Sequence, residues 1–204
     1  KVKILKKSLE LFNQSGVYNV SLRTVASELG MSQGNLTYHF KNKNEIIELL
    51  YFELVEKVDA EMLKLIHMPS VLSLMYHSAG NSMKIFFEYR FLMRDLYLIF
   101  RENEKIRMHY MGLQQVRSQQ FLILIEALID QELFRPAVID KEYARFYERM
   151  NILSDNWINA QEILYHNLDE PVNYYKDLLF EVIFPYLTEK GRVAFKEIVG
   201  NKLD

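Results

Sequence analysis

Cysteine is absent from the chain, so neither a disulfide nor a thiolate metal site can form, which fits a reducing, cytoplasmic setting. Glycine and proline are scarce, seven and four in 204 residues, and β-branched residues nowhere gather in alternating runs. So few turn formers and no period-two pattern predict an all-α protein. No apolar run nears the roughly 18 residues a membrane helix needs, and no basic start precedes an apolar stretch with a small-residue cleavage site, so no membrane association is expected. None of the five histidines (His39, His67, His77, His109, His166) has an acid three residues before it, and no two are four apart. That excludes the Glu-x-x-His pairs of a di-iron bundle and the usual helical zinc pair. Neither a glycine-rich phosphate loop nor a Gly-x-Ser-x-Gly elbow occurs. No catalytic residue, metal ligand or cofactor is expected.

What is present is core material and an uneven charge. Half the residues are hydrophobic, with thirteen Tyr, thirteen Phe and nine Met. The net charge of −2 conceals a balance of +4 over residues 1–47 and −6 over the remainder. A basic segment attached to an acidic body points to a polyanion met by the first part alone.

The chain reads as consecutive helices without repeats or low-complexity linkers. Its first residues already look helical, so further residues are expected before Lys1. The first helix runs from about Lys3 to Ser15 and ends at Gly16. Ser21 is placed to cap a second, stopping at Gly30, and Ser32 a short third through about His39. Asn42 and Glu45, at capping-box spacing, launch a long helix to about Ile66, before Pro69. Later helices are expected near 70–80, 82–101, 104–133, 140–167, 172–187 and 189–199, with breaks at Asn103, Arg135-Pro136, Asp169-Glu170-Pro171 and Gly191.

Three short helices, the last two joined by a tight turn, are the arrangement of a helix-turn-helix. Ala26 lies four residues before Gly30 and Leu36 six after it. A small residue at 26 permits close approach, Gly30 can take positive φ, and Leu36 with Val25 and Leu29 can fill the wedge. With Leu36 inward, Gln33, Asn35, Thr37 and Tyr38 fall largely outward, offering amides and hydroxyls suited to base edges and phosphates. Ser32 and Gly34 keep the helix start slim enough for a major groove. Lys43, with the N–H groups that open the fourth helix, is suited to a phosphate. An ordinary helical bundle with a polar solvated face is the competing reading.

The stretch from Ser21 to Ile47, SLRTVASELGMSQGNLTYHFKNKNEII, resembles the DNA-binding signature of the TetR (tetracycline repressor-like) family, above all in Tyr38-His39-Phe40 followed by Lys43 and Glu45. The resemblance implies a helix-turn-helix domain over 1–46 and a helical effector-binding and dimerisation domain over 47–204. It implies a homodimer on a palindromic double-stranded DNA operator, released when a small molecule, expected to be hydrophobic, enters the second domain. By position it assigns phosphate contacts to Ser21 and Lys43, a backbone contact to Tyr38, and base-facing roles to Gln33, Asn35 and Thr37. Thr37 departs from the pattern, since many members carry an aromatic there, and its shorter side chain reaches less far toward a base or phosphate. His39 and Phe40 read as packing and helix-end residues.

The stretch after the helix-turn-helix, 47–204, is rich in aromatic and methionine side chains that fill a core or line a cavity. Candidate pocket residues are Met75, Tyr76, His77, Phe87, Arg90, Met93, Arg94, Tyr97, His109, Tyr110 and Phe121. For Arg90 and Arg94 an internal ion pair with Glu88 or Asp95 competes with a ligand role. The run from Tyr89 to Leu96, YRFLMRDL, resembles a motif of one TetR subgroup. Apolar faces around Trp157, Ile158, Leu164, Tyr174, Leu178, Leu179 and Ile183 suit either a core or the late-helix dimer interface that the resemblance implies. A helical enzyme or a protein–protein adaptor is the alternative function, though an adaptor has no need of the Gln33, Asn35, Tyr38 and Lys43 face.

Overall fold

The computed structural model describes residues 1–165 and 167–200. Among them are eleven α-helices, two short 3-10 turns and no strand, only one isolated bridge between Phe134 and Leu187. The chain is all-α, as expected. It divides into two compact units, one of Lys1–Asp59 with Ile85–His109, the other of Ala60–Lys84 with the chain from Tyr110 onward.

In the first unit, α1 (Val2–Ser15) buries Ile4, Ser8 and Phe12 at helical spacing and ends at Gly16, whose φ of 78° would strain a side-chain-bearing residue. A 3-10 turn, Val17–Asn19, leads to α2 (Leu22–Glu28). Ser21 caps α2 by accepting from the Thr24 amide at 3.1 Å, and Thr24 Oγ1 accepts the Ser21 amide in return. Gly30 takes φ 63° in the turn, and Met31 N–H closes back on Ala26 O at 3.0 Å. Then come α3 (Gln33–His39) and α4 (Lys43–Leu65). At the start of α4, Asn42 Oδ1 accepts from Glu45 N–H while Glu45 reaches back to Lys41 N–H, each at 3.0 Å. The reciprocal bond goes to residue 41 rather than 42, one step off the usual capping box. The unit is completed by the end of α5 (Val71–Glu88), by α6 (Arg90–Arg94) and α7 (Leu96–Glu102), and by the start of α8 (Glu104–Asp130). Asn103 caps α8 through Ile106 N–H.

The second unit holds most of α5 and α8 together with α9 (Glu142–Leu164), α10 (Pro171–Glu181) and α11 (Glu189–Val199). Its core gathers Leu72, Leu128, Phe134, Phe146, Phe180 and Phe195, each at most 2% exposed. Along the α8–α9 seam, Tyr110 donates to Asp155 at 2.7 Å, and Gln114 Oε1 accepts from both Tyr147 and Asn151.

Several expected boundaries shift, among them the end of the helix expected over 172–187, which stops at Glu181. No break occurs near residue 81, where α5 runs through Gly80. A methyl there would come within 2.9 Å of Lys176 Cδ, so this glycine serves close packing rather than termination. The interruption falls instead at Tyr89 and Asp95. Gly191 lies inside the first turn of α11, which Thr188 caps, because a Cβ would sit 2.0 Å from Leu133 O. The expected extent of the ninth helix to 167 includes His166, which lies outside the described residues.

Candidate nucleic-acid interface

α3 is only seven residues long, and its burial pattern sorts it into two sides. Leu36 is fully buried and Phe40, just past the helix end, is 1% exposed. Between and around them Ser32, Gln33, Gly34, Asn35, Thr37 and Tyr38 are all exposed, Tyr38 at 86%. Val25 and Ala26 of α2 are buried beside the turn. The wedge expected from the spacing of Ala26, Gly30 and Leu36 is therefore present, with the amide and hydroxyl side chains outside it.

Local bonds decide what these side chains still offer. Ser32 Oγ accepts from Asn35 N–H at 3.2 Å, so its oxygen is committed to the cap. Thr37 donates its hydroxyl proton to Gln33 O at 2.9 Å, which leaves its oxygen as an acceptor toward solvent. Tyr38 stacks edge-on to His39, ring centres 5.4 Å apart. His39 is half-buried and Phe40 buried, in keeping with packing roles. At Gly34 the backbone is ordinary helix, and a Cβ would meet nothing within 4 Å. Nothing inside the chain therefore requires glycine at this position.

Lys43 is placed less freely than its sequence position suggests. Its Nζ donates to Val17 O at 2.6 Å and lies 5.5 Å from the Tyr18 ring centre. This partial burial holds its pKa below the ordinary lysine value. Ser21 is exposed but engaged with Thr24. Two cations that the sequence reading passed over, Arg23 on α2 and Lys41 directly after α3, are exposed. Their signal in the sequence is the positive balance of the first 47 residues, which names no particular side chain.

Two family models match the chain, one described as bacterial regulatory proteins of the tetR family over residues 4–50, the other as TetR, a bacterial transcriptional repressor, over 56–195. The chain belongs to the TetR family. Among solved structures it resembles a TetR-family transcriptional regulator from Marinobacter aquaeolei VT8, at 26% identity over 96% of each chain with a TM-score of 0.81. A transcriptional regulator from Saccharomonospora viridis, solved in complex with choline, shares 21% identity over 92% of this chain and 96% of that one, TM-score 0.72. The regulator PfmR from Thermus thermophilus shares 16% over 89% and 97%, TM-score 0.70, and so shows the fold alone. No curated protein matches. As a TetR-family member the chain is a DNA-binding transcription regulator and not an enzyme.

The candidate effector residues are divided between the two units. In the first, Met93 is 7% exposed. Arg90 donates to Phe87 O and lies over the Phe87 ring, and Arg94 donates to Asn13 O. His109 pairs with Tyr51 at 2.9 Å and packs on Phe52. Tyr97 is 75% exposed on α7, a surface position. In the second, Met75 and Phe121 pack on the core and Tyr76 donates to Asp177. His77 is exposed, edge-on to the Tyr76 ring. Tyr110 holds Asp155, whose carboxyl burial pushes above the usual carboxylate range. No helix of the described residues is long and apolar enough to cross a membrane.

Proposed function

We propose that the protein is a cytoplasmic repressor that binds a palindromic operator as a homodimer, each subunit laying α3 into one major groove. Gln33, Asn35 and Thr37 face the bases, Tyr38 lies along the backbone, and Ser21 and Lys43 hold phosphates. Arg23 and Lys41 join them as phosphate contacts. The observation carrying this reading is the two-sidedness of α3: Leu36 buried, and every polar side chain before Phe40 turned out except half-buried His39. In functional terms residues 1–46 are the reading head, and 47–204 carry pairing and regulation.

Pairing is assigned to α9 and α10. Trp157, Ile158, Leu179 and Ile183 are used up within the chain, each at most 7% exposed. Ile152, Ile163, Leu164, Tyr174 and Leu178 on the same helices remain exposed, an apolar set suited to a second copy. The effector is a small, largely apolar molecule taken up within 47–204, the role proposed for Met75, Tyr76, Tyr110 and Phe121. The choline held by the Saccharomonospora viridis protein supports a small-molecule effector in this fold.

The test is selection of a binding site from a random duplex pool, followed by affinity measurements against salt. A palindromic site and a steep salt slope are expected. Asn35→Ala should cost about 1–3 kcal/mol on that site and relax preference at one position of each half-site. Enrichment of no sequence at all would end the operator reading.

A further inference from the structure

In an uninterrupted helix the Phe91 amide would donate to Phe87 O and the Leu92 amide to Glu88 O. At the boundary of α5 and α6 neither bond forms. Leu92 N–H turns back to Tyr89 O at 2.9 Å, which leaves Glu88 O and Phe91 N–H to be satisfied from elsewhere. One side chain does both. Asn13, on α1 and 8% exposed, donates from Nδ2 to Glu88 O at 2.7 Å and accepts from Phe91 N–H at Oδ1, 3.1 Å. Its amide stands in for a peptide group in the interrupted ladder, a task that needs a donor and an acceptor at one short reach. Phe87 O is taken by Arg90 Nη1 at 3.2 Å.

Further bonds tie the same stretch to the front of the chain. Arg94 Nη1 donates to Asn13 O at 2.6 Å, and the Asp95 carboxylate accepts from Val17 N–H. The Phe12 and Phe91 rings, both fully buried, lie 5.2 Å apart. Lys43 closes on Val17 O from α4. The YRFLMRDL run thus has a structural use. Tyr89, Phe91, Leu92 and Met93 are core, Arg94 grips the end of α1, and Asp95 holds the turn before α2.

We infer that Asn13 is a positioning residue for DNA binding: its amide seats α1 in the break at Tyr89, so that the aim of the helix-turn-helix is held by residues 88–95 and not by the first 46 residues alone. The inference rests on the proposal that α3 reads DNA. Base contacts demand one alignment of α3 in the groove, whereas phosphate contacts tolerate rotation. Loosening the seat therefore weakens specific binding more than general binding.

The experiment uses the full chain, the site selected from a random pool, and an unrelated duplex of equal length. Asn13→Ala, kept at a temperature where circular dichroism shows it folded, is expected to lower the ratio of selected-site to unrelated-duplex affinity by about tenfold or more, since ordering must then occur on binding. Its salt slope on the unrelated duplex should match the parent, because no phosphate-facing side chain has changed. A residue that merely supports the fold would lower the melting temperature and leave that ratio unaltered, and such a result overturns the inference. Should Asn13→Ala not fold, Asn13→Asp, which keeps an acceptor for Phe91 N–H but removes the donor to Glu88 O, carries the same test, and an unchanged ratio there is equally fatal. A parent protein without preference for any sequence would instead sink the DNA-reading proposal itself.

Discussion

Gly34→Ala separates what the fold needs from what the duplex needs. Residue 34 lies in the first turn of α3 in ordinary helical backbone, and a methyl there meets nothing within 4 Å. Alanine in a helix is favoured over glycine by about 0.5–1 kcal/mol, and a first-turn position argues for the lower figure. For a chain of this length about 0.5 kcal/mol corresponds to a melting temperature higher by about 1–2 °C. If the start of α3 lies in a groove, the same methyl meets bases or backbone. Losing or displacing one good base contact costs about 1–3 kcal/mol, a drop in operator affinity of about 5- to 150-fold. Differential scanning fluorimetry and a fluorescence-anisotropy titration of the selected site measure the two effects on one preparation. Opposite signs are expected, with stability up and affinity down. Unchanged affinity would place the start of α3 outside the interface, and a lower melting temperature would refute the claim that no internal contact requires this glycine.

Leu36→Ala is expected to show the reverse character: a fully buried leucine in the wedge should cost about 2–5 kcal/mol in denaturant unfolding, while the exposed neighbour change Thr37→Ala stays within about 0.5 kcal/mol. Similar costs for the two would mean that the helix faces are misassigned. Lys43→Met should destabilise by about 1 kcal/mol through the unpaired Val17 carbonyl. It should also flatten the salt slope of operator binding by about 0.9, and an unaltered slope would remove Lys43 from the phosphate contacts. Glu142 accepts both guanidinium nitrogens of Arg135, at 2.6 and 2.9 Å, and the Val138 amide at 2.8 Å. The Arg135 bonds, then that amide, hold its pKa down to about 2. A depressed carboxyl contributes stability that is full above its ordinary value near 4.5 and is lost as pH falls toward 2. Glu142→Gln should therefore flatten the stability profile in that window, seen by urea midpoints at successive pH values, and an unaltered profile would assign the acid sensitivity to other carboxyls.

The reading head was legible because its signals are local. Ser21, Gly30, Ser32 and Leu36 sit within sixteen residues, and each acts on neighbours three to six positions away, so spacing alone predicts caps, turn and inward face. The limits of α1 and α4 were legible for a similar reason, in that α1 stops at Gly16 and α4 starts beside the Asn42 cap. Gly191 misled because glycine serves two opposed needs. Termination and close approach look alike until the partner surface, here the Leu133 carbonyl, is known. Lys43 was legible as a cation but not as one already bonded, since Val17 is 26 residues away.

The break at Tyr89 marks where local reasoning stops. From Phe86 to Met93 the sequence has no proline and no glycine, and its propensities favour a continuous helix. The interruption stands because the groups it orphans are satisfied from 75 and 78 residues away by one asparagine. That asparagine in turn reads as an ordinary polar residue near the end of an amphipathic helix. Each half of the arrangement is unintelligible alone: a buried Asn13 without the break would be an unsatisfied amide, and a break without Asn13 would leave a part-buried carbonyl and a buried N–H unpaired. Such mutual dependence also makes the two features a single unit in function. A substitution that straightens the helix through Tyr89 must displace Asn13, and on the inference above that weakens the seat of α1 even where Phe12 and Arg94 keep their contacts.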